Sequence, residues 1–453
     1  VNLLQNRSET TVLTSKERIA ARLEWFQDLK FGFFMHWGAY SQWGCIESWP
    51  LVEVDTWARP DDLPAWVERG KDIEQFKRDY FALNRTFNPV HFDADAWAEV
   101  ARDAGTRYVA FTTKHHDGFC MFDTRTTDYR VTASDCPFHT HPRANVAKEV
   151  FDAFRTRDFG IAAYFSKADW HSPYYWKPGA PARTRNPNYD TAAEPERWNA
   201  FVEFTHRQIE ELMTGYGRVD ILWLDAGQVR PPSQDIQMDR LVAMARSHQP
   251  DLLVVDRTVG GEHENYRTPE QEVPEKPLDV VWESCITMGD QWSFKPGDRY
   301  KSTRRLVHLL VDVVAKGGNL LLNVGPQPDG RLPDEAVSRL REIGAWMRVN
   351  GEAIYGTRPM APYKDGNVAF TRKGDTVYAI TLLAEGQETL PAHVLLTSLQ
   401  PSPGATVEML GVTGSLSWHT RDWGFAVEIP PAVRESPPCG HAFVLKVSPS
   451  RHP

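Results

Sequence analysis

Hydrophobic and polar positions follow two regimes along this chain. Through residue 350, short apolar, β-rich runs recur: FGFFMHW (31–37), RYVAFTT (107–113), GIAAYFS (160–166), DILWLDA (220–226), LLVVDR (252–257), DVVWES (279–284) and LLLNVG (320–325). Near-continuous apolar runs of this length suit strands of a parallel sheet buried on both faces. Helical periods lie between several of them. In PERWNAFVEFTHRQIEELM, Trp198, Phe201, Val202, Ile209 and Leu212 recur at helical spacing behind Pro195, which is tolerated where the first N–H groups lack internal partners. PDEAVSRLREIGAWMRVNG repeats the pattern through Val337, Leu340, Ile343 and Met347, with a left-handed cap expected at Asn350–Gly351. Seven strand candidates separated by helices predict an α/β fold, a (β/α)8-like barrel in regular or irregular form. An open doubly wound sheet is the structural alternative. No GxGxxG follows the first strand and no GxxxxGK[ST] occurs, so nucleotide-binding versions lose support.

After about residue 355 the period becomes two. NVAFTRKGDTVYAITLL reads as two strands around a Gly-Asp turn, and HVLLTSL, TVEMLG, FAVEIP and AFVLKV follow, punctuated by Pro and Gly. This predicts a small C-terminal β-sandwich without a convergent polar cluster. The expected division is a catalytic (β/α) barrel over 1–352 and the sandwich over 353–453.

In a parallel barrel the reacting groups sit at the carboxyl ends of the strands. The successive runs deliver His36; His115, His116 and Asp117; Tyr164 with Asp169-Trp170 just beyond; Trp223 and Asp225; Asp256-Arg257; Trp282 and Glu283; and Asn323. This convergence says more than any one residue. His115 and His116 are adjacent where a strand stops. On a regular strand they would face opposite ways, but where the pleat gives way to loop both can lean into one mouth. Two neighbouring imidazoles suit a ligand with several hydroxyls, since each ring can donate at one nitrogen and accept at the other. The bland alternative buries one of the two against backbone. A metal reading needs a third ligand; the His139 and His141 pair lies between Pro137 and Pro142, and no full ligand set emerges, so no metal is expected.

Asp225, beside Trp223 and ahead of the small pair Ala226-Gly227, is the best nucleophile candidate; capping a following helix is its structural alternative. A partner acid should come from another element. Glu270, in the polar loop NYRTPEQEVP, and Glu283, within the sixth run, both qualify, and spacing does not choose between them.

Composition narrows the classes. Net charge is −9, and no basic stripe or aromatic RNA motif occurs, so nucleic acid is not an expected partner. No run of about 18 apolar residues is present to span a membrane. The polar start VNLLQNRSETTVLTSKERIAARLEWF lacks a signal-peptide core, which leaves cytoplasmic placement and secretion after processing both open. Cys45, Cys120, Cys136, Cys285 and Cys439 are odd in number and scattered, as buried thiols would be. Asn6 and Asn84 stand in glycosylation sequons of little weight. Sixteen tryptophans are many for this length; core packing accounts for most of them, and flat aromatic faces also suit the apolar faces of sugars.

Taken together, FGFFMHWG, TTKHHDGF, YFSKADW, ILWLDAG, VVWESC and GGNLLLNVGP resemble the family 29 glycoside hydrolases, the retaining α-L-fucosidases, in family order across residues 24–356. The resemblance implies hydrolysis of terminal α-linked L-fucose by double displacement, without a cofactor, on a fucosylated oligosaccharide or glycoconjugate. The family's nucleophile corresponds to Asp225. Its pocket histidines correspond to His36, His115 and His116, its pocket tyrosine to Tyr164, its strand-end arginine to Arg257 and its loop acid to Glu47. Many members have tryptophan directly after that acid; here Ser48 separates Glu47 from Trp49. Phe34, Trp223 and Trp292 match the apolar wall that receives the sugar's methyl group. YRTPEQEVP resembles the branch acting on α-1,3- and α-1,4-linked fucose of Lewis-type glycans, which implies Glu270 as acid/base and Glu283 as the runner-up. Broad linkage specificity, transfucosylation and non-catalytic fucose binding are the alternatives.

Overall fold

The computed structural model describes residues 14–60, 64–387, 389–422 and 424–449; Asn6 lies outside them. Seven strands form one parallel sheet: β1 (Phe31–Met35), β2 (Tyr108–Lys114), β3 (Gly160–Ser166), β4 (Ile221–Asp225), β5 (Leu253–Asp256), β6 (Glu283–Thr287) and β7 (Asn319–Val324). Their order is β5-β4-β3-β2-β1-β7-β6. The helices are α1 (Ser15–Leu29), α2 (Pro64–Arg69), α3 (Ile73–Phe81), α4 (Ala94–Ala104), α5 (Val146–Arg155), α6 (Pro195–Gly215), α7 (Met238–His248), α8 (Thr303–Ala315) and α9 (Asp334–Asn350).

The sheet curls into an irregular barrel. Its edge strands β5 and β6 do not pair with each other. Residues 263–271 hydrogen-bond to both instead: Asn265 N–H donates to Val254 O, Glu283 N–H to Arg267 O and Gln271 N–H to Cys285 O. Alternate residues point inward, as the period of two requires. Phe34, Ala110, Tyr164, Trp223, Val255, Cys285 and Leu321, with Tyr266 of the bridging segment, form one interior cluster. Phe26 of α1 joins it, stacked on Tyr266 at 4.3 Å and edge-on to Tyr108 at 5.4 Å. Two charged pairs sit on the outer side of the strand ends. Lys114 Nζ lies 3.1 Å from Asp169, and Lys167 pairs with Asp256. Asp169 and Asp256 therefore do not join the rim. Gly118, φ +83°, is needed because the Asp169 carboxylate occupies the space of a Cβ there.

Two local expectations fail. The sixth strand begins at Glu283 rather than ending there, and Glu283 pairs in register with Asn319, the first residue of β7. Its side chain therefore sits deep in the barrel. Helix α9 does not close with a left-handed cap: Gly351 has φ −57°, and the chain runs on into a 3-10 turn over Gly351–Ala353.

The C-terminal strands are β8 (Lys364–Asp365), β9 (Val368–Lys373), β10 (Thr376–Leu382), β11 (His393–Leu396), β12 (Thr406–Met409), β13 (Trp418–Arg421), β14 (Gly424–Glu428) and β15 (Ala442–Ser448). They form a five-stranded sheet, β12-β15-β10-β9-β8, and a three-stranded sheet, β11-β14-β13. Phe370, Val407, Phe425 and Phe443 pack between the sheets. Tyr378, Ile380, Ala442 and Val444 face the other way, into the core of the barrel region, where Trp346 Nε1–H of α9 donates to Ala442 O at 2.9 Å. Among the described residues no helix is long and apolar enough to cross a membrane. No disulfide joins the cysteines; four are buried and Cys439 is half-buried. Asn84 is buried and its amide donates to Asp135 at 2.8 Å, which a glycan at that nitrogen would break.

Gly32 shows how tightly the barrel floor is filled: a Cβ there would overlap the ring of Tyr108. Gly32→Ala should therefore destabilise the chain by about 1–3 kcal/mol, the usual cost of overpacking, measured as a lower denaturation midpoint at unchanged slope.

Candidate active site

A cavity of about 680 Å³ opens at the carboxyl ends of the strands. All twelve residues proposed for the pocket line it: Phe34 and His36 from β1 and its end; Glu47 and Trp49 from the following loop; His115 and His116 after β2; Tyr164 from β3; Trp223 and Asp225 from β4; Arg257 after β5; Glu270 from the bridging segment; and Trp292 after β6. Phe34, Trp223 and Trp292 make an aromatic corner, with Phe34 edge-on to the other two at 5.5 and 6.0 Å.

Asp225 Oδ2 accepts from Tyr164 Oη at 2.7 Å, and Oδ1 accepts from Arg257 Nη1 at 3.0 Å. Burial opposes its ionisation. The charge of Arg257, with the Tyr164 hydrogen bond, overrides that and holds the carboxyl well below the usual carboxylate range. The next helix, α7, begins only at Met238 and is preceded by Gln237, so Asp225 caps nothing. The other guanidinium arm, Nη2, pairs with Glu270. Gly227 owes its small size to Thr258 Oγ1, which fills the space of a Cβ, rather than to ligand room alone.

Glu270 is not on a free loop. Its neighbours are laddered to β6 through Cys285 N–H to Pro269 O at 3.1 Å and Gln271 N–H to Cys285 O at 2.9 Å. The Gln271 amide locks onto Thr287, with Nε2 donating to Oγ1 at 3.1 Å. Glu283 does not line the cavity. It is fully buried below it, accepting from Tyr108 Oη at 2.6 Å and Trp223 Nε1 at 3.0 Å, and burial raises its carboxyl to about 7.

The three imidazoles are anchored alike. His36 Nδ1 lies 2.7 Å from Asn323 Oδ1, His116 Nδ1 lies 2.6 Å from Ser166 Oγ, and His115 Nδ1 lies 2.5 Å from Ser48 Oγ. The partners decide the tautomers. The Asn323 amide nitrogen donates to Trp292 O, so its oxygen must accept, and His36 carries the proton on Nδ1. Ser166 Oγ donates to Ala168 O and thus accepts from His116 Nδ1–H. Ser48 Oγ already accepts from Asp117 N–H, and among the described residues His115 Nδ1 is the acceptor in reach of its proton. His115 therefore carries its proton on Nε2. The pocket thus presents two imidazole acceptors and one donor. Burial pushes His36 and His116 down to about 4 and His115 well below its ordinary value, so all three are neutral near pH 7.

Glu47 is buried, with φ +40°. Its Oε1 accepts from Ser293 N–H at 2.8 Å, while Oε2 has no hydrogen-bond partner. Burial, with the charges of Glu270 and Asp225 adding to it, raises this carboxyl to about 8 despite the Ser293 bonds. It is a protonated donor at neutral pH.

Ligand atoms of His115, His116 and Asp225 lie within 4.8 Å of one another, as do those of Asp239, Glu262 and His263 nearer the surface. His139 is instead bonded through Nδ1 to Cys136 O, and His141 stacks on Phe138. Ser48 was read from the sequence only as the residue between Glu47 and Trp49, and Ser166, Ser293, Trp57, Arg185, Gln228 and Arg230 were not singled out. The serines carry no pattern of their own, because isolated hydroxyls are common. The arginines, Gln228 and Trp57 lie on long connections whose course no periodicity reveals.

Two signals in ¹⁵N imidazole NMR test this geometry. His36 and His116 should titrate near pH 4, against about 6.5 for a free imidazole. Ser48→Ala should shift His115 alone from a single Nε2–H tautomer to a mixture. Unchanged His115 shifts in that variant would refute the assignment.

Residues 2–352 match the family Alpha-L-fucosidase, and residues 363–448 match Alpha-L-fucosidase C-terminal domain. The chain is similar to the plasma alpha-L-fucosidase of Rattus norvegicus, 30% identical over 94% of this chain and 91% of the other. Among solved structures it resembles alpha-L-fucosidase isoenzyme 1 from Paenibacillus thiaminolyticus, at 30% identity and TM-score 0.77 over 96% of this chain and all of that one. It also resembles the Thermotoga maritima alpha-fucosidase in complex with fucose, at 27% identity and TM-score 0.73 over 93% and 96% of the two chains. With both its barrel and its sandwich matched, the chain belongs to the α-L-fucosidase family of glycoside hydrolases.

Proposed function

We propose that this chain hydrolyses terminal α-L-fucosides with retention, using Asp225 as nucleophile and Glu270 as acid/base. The observation that carries this is the shared guanidinium: Arg257 touches Asp225 with one arm and Glu270 with the other, inside one cavity. Two carboxyls within the span of one guanidinium are compatible with the separation of about 5–5.5 Å expected of a retaining pair.

In the first step an Asp225 oxygen bonds to the anomeric carbon. The bond to the glycosidic oxygen breaks, and that oxygen takes the proton of Glu270. In the second step water attacks the anomeric carbon, Glu270 takes its proton, and Asp225 leaves as carboxylate. The Arg257–Glu270 pair must open for Glu270 to hold a proton against the leaving oxygen; Arg257 then remains on Asp225. His36 and His116 accept from sugar hydroxyls, His115 and protonated Glu47 donate, and Phe34, Trp223 and Trp292 receive the methyl group. Tyr164 orients the nucleophile, and Trp49 stands edge-on to His116 at 4.9 Å, closing the pocket's side. No cofactor takes part in these steps. The T-P-E-Q segment that carries Glu270 supports α-1,3 and α-1,4 linkages of Lewis-type glycans, tested by product analysis on matched α-1,2-, α-1,3-, α-1,4- and α-1,6-fucosylated oligosaccharides.

Asp225→Asn should abolish turnover of every fucoside. Glu270→Ala should lower kcat/KM for natural fucosides about 10²- to 10⁴-fold, the usual worth of general acid help. It should cost much less for an aryl fucoside whose leaving group departs without a proton. The assignment fails if Glu270→Ala spares both substrates while Glu283→Ala shows that pattern. Glu47 donates while protonated, so its contribution is present below about pH 8 and lost as pH rises through that value. The kcat/KM profile should fall above about pH 8, and in Glu47→Gln, whose amide cannot ionise, that limb should move to higher pH.

A further inference from the structure

The cavity extends beyond the aromatic corner and the imidazoles. At about 680 Å³ it falls within the range of about 300–1,000 Å³ that encloses drug-sized ligands. Its outer part holds an unusual side chain. Trp57, on the 3-10 turn Thr56–Ala58, is 56% exposed. Of the large apolar side chains left exposed among the described residues, it alone lines this cavity.

Polar contacts, rather than core packing, hold that indole in place. Its Nε1–H donates to Asp55 Oδ1 at 3.3 Å. Asp55 is itself fixed by Arg185, whose Nε and Nη2 donate to Oδ2 and Oδ1 at 2.8 and 3.0 Å. The Arg185 guanidinium lies 4.4 Å over the ring of Trp49, which in turn packs at 5.9 Å against Trp57 and at 4.9 Å against His116. A continuous bracket thus runs from the inner pocket to the rim. It presents an aromatic face to solvent, at a cost in exposed apolar surface that packing inward would remove. Gln228 and Arg230 line the same cavity.

We propose that Trp57 forms the subsite for the pyranose that carries the fucose. The indole would cover an apolar sugar face. This rests on the retaining reading above, because it places the leaving group outward from Asp225 and beside Glu270. The same site then serves twice. It holds the departing sugar in the first step. In the second it can hold an acceptor sugar, whose hydroxyl hands its proton to Glu270 as its oxygen bonds to the anomeric carbon and Asp225 leaves as carboxylate. Occupancy of this site therefore sets the division between transfer and hydrolysis, since water needs no platform.

The test compares α-L-fucosyl fluoride, which has no leaving sugar, with a fucosylated trisaccharide. In Trp57→Ala, kcat/KM for the trisaccharide should fall about three- to tenfold relative to the fluoride, the range that aromatic stacking supports. The ratio of transfer to hydrolysis products with added acceptor sugar should fall by a similar factor. Trp57→Phe should restore most of both. Equal losses on the two substrates would mean that Trp57 only props up the loop, and no loss on either would mean that no sugar rests on it; each result overturns the subsite. Failure of the wild-type enzyme to turn over the fluoride would instead overturn the fucosidase reading itself.

Discussion

Arg257 inserts one guanidinium between two carboxylates that face the same buried cavity. Without that cation, Asp225 would carry an uncompensated charge in a low-dielectric site, and burial would drive it toward the neutral acid. In the mechanism proposed above, a neutral Asp225 could not attack carbon. The planar fork of arginine suits the task better than a lysine ammonium, because its two arms reach two acceptors at once and stay charged at any working pH. Its position follows from the strand register. Leu224 pairs with Asp256, so Asp225 and Arg257 each stand one residue further along neighbouring strands.

Much of this was legible in the sequence, because it depends on strand ends. A run of buried apolar residues marks a strand, and the first polar residues beyond it must emerge at the rim. His36, His115, His116, Asp225 and Arg257 are all placed by that rule. The same rule misplaces Glu283. An apolar stretch, DVV, precedes the strand there without belonging to it, so the residue taken for an end is a beginning. Glu283 thereby becomes a buried hydrogen-bond hub for Tyr108 and Trp223. What stayed hidden is what depends on side chains meeting across long separations. Ser48 and His115 are an example, as is the backbone tie that turns the Glu270 loop into a barrel stave. Local rules also fail where the site bends the chain. Glu47, Ala226 and Thr258 line the cavity with positive φ, and Gln271 follows Glu270 with the same sign. Such conformations cost on the order of 1–3 kcal/mol each and persist when surrounding contacts over-determine them.

The clustering of histidines acquires its meaning from burial. Three imidazoles with their ordinary pKa near 6.5 would be about three-quarters protonated at pH 6. Set around the anomeric carbon, they would add positive charge where an oxocarbenium-like transition state is already developing one. In a site screened from water that repulsion would be large. Burial removes the problem by holding His36 and His116 near 4 and His115 well below its ordinary value. Neutral rings keep one free nitrogen each for sugar hydroxyls and contribute no competing cation. Glu47 obeys the same logic with the opposite sign: held protonated to about 8, it offers a hydrogen-bond donor without adding a carboxylate charge beside Asp225. The same desolvation that would neutralise Asp225 thus neutralises its neighbours instead, because only Asp225 has both Arg257 and Tyr164 bonded to its carboxylate. On the proposed mechanism, Asp225 stays ionised against the carbon that must become positive, with the three imidazoles and Glu47 neutral around it.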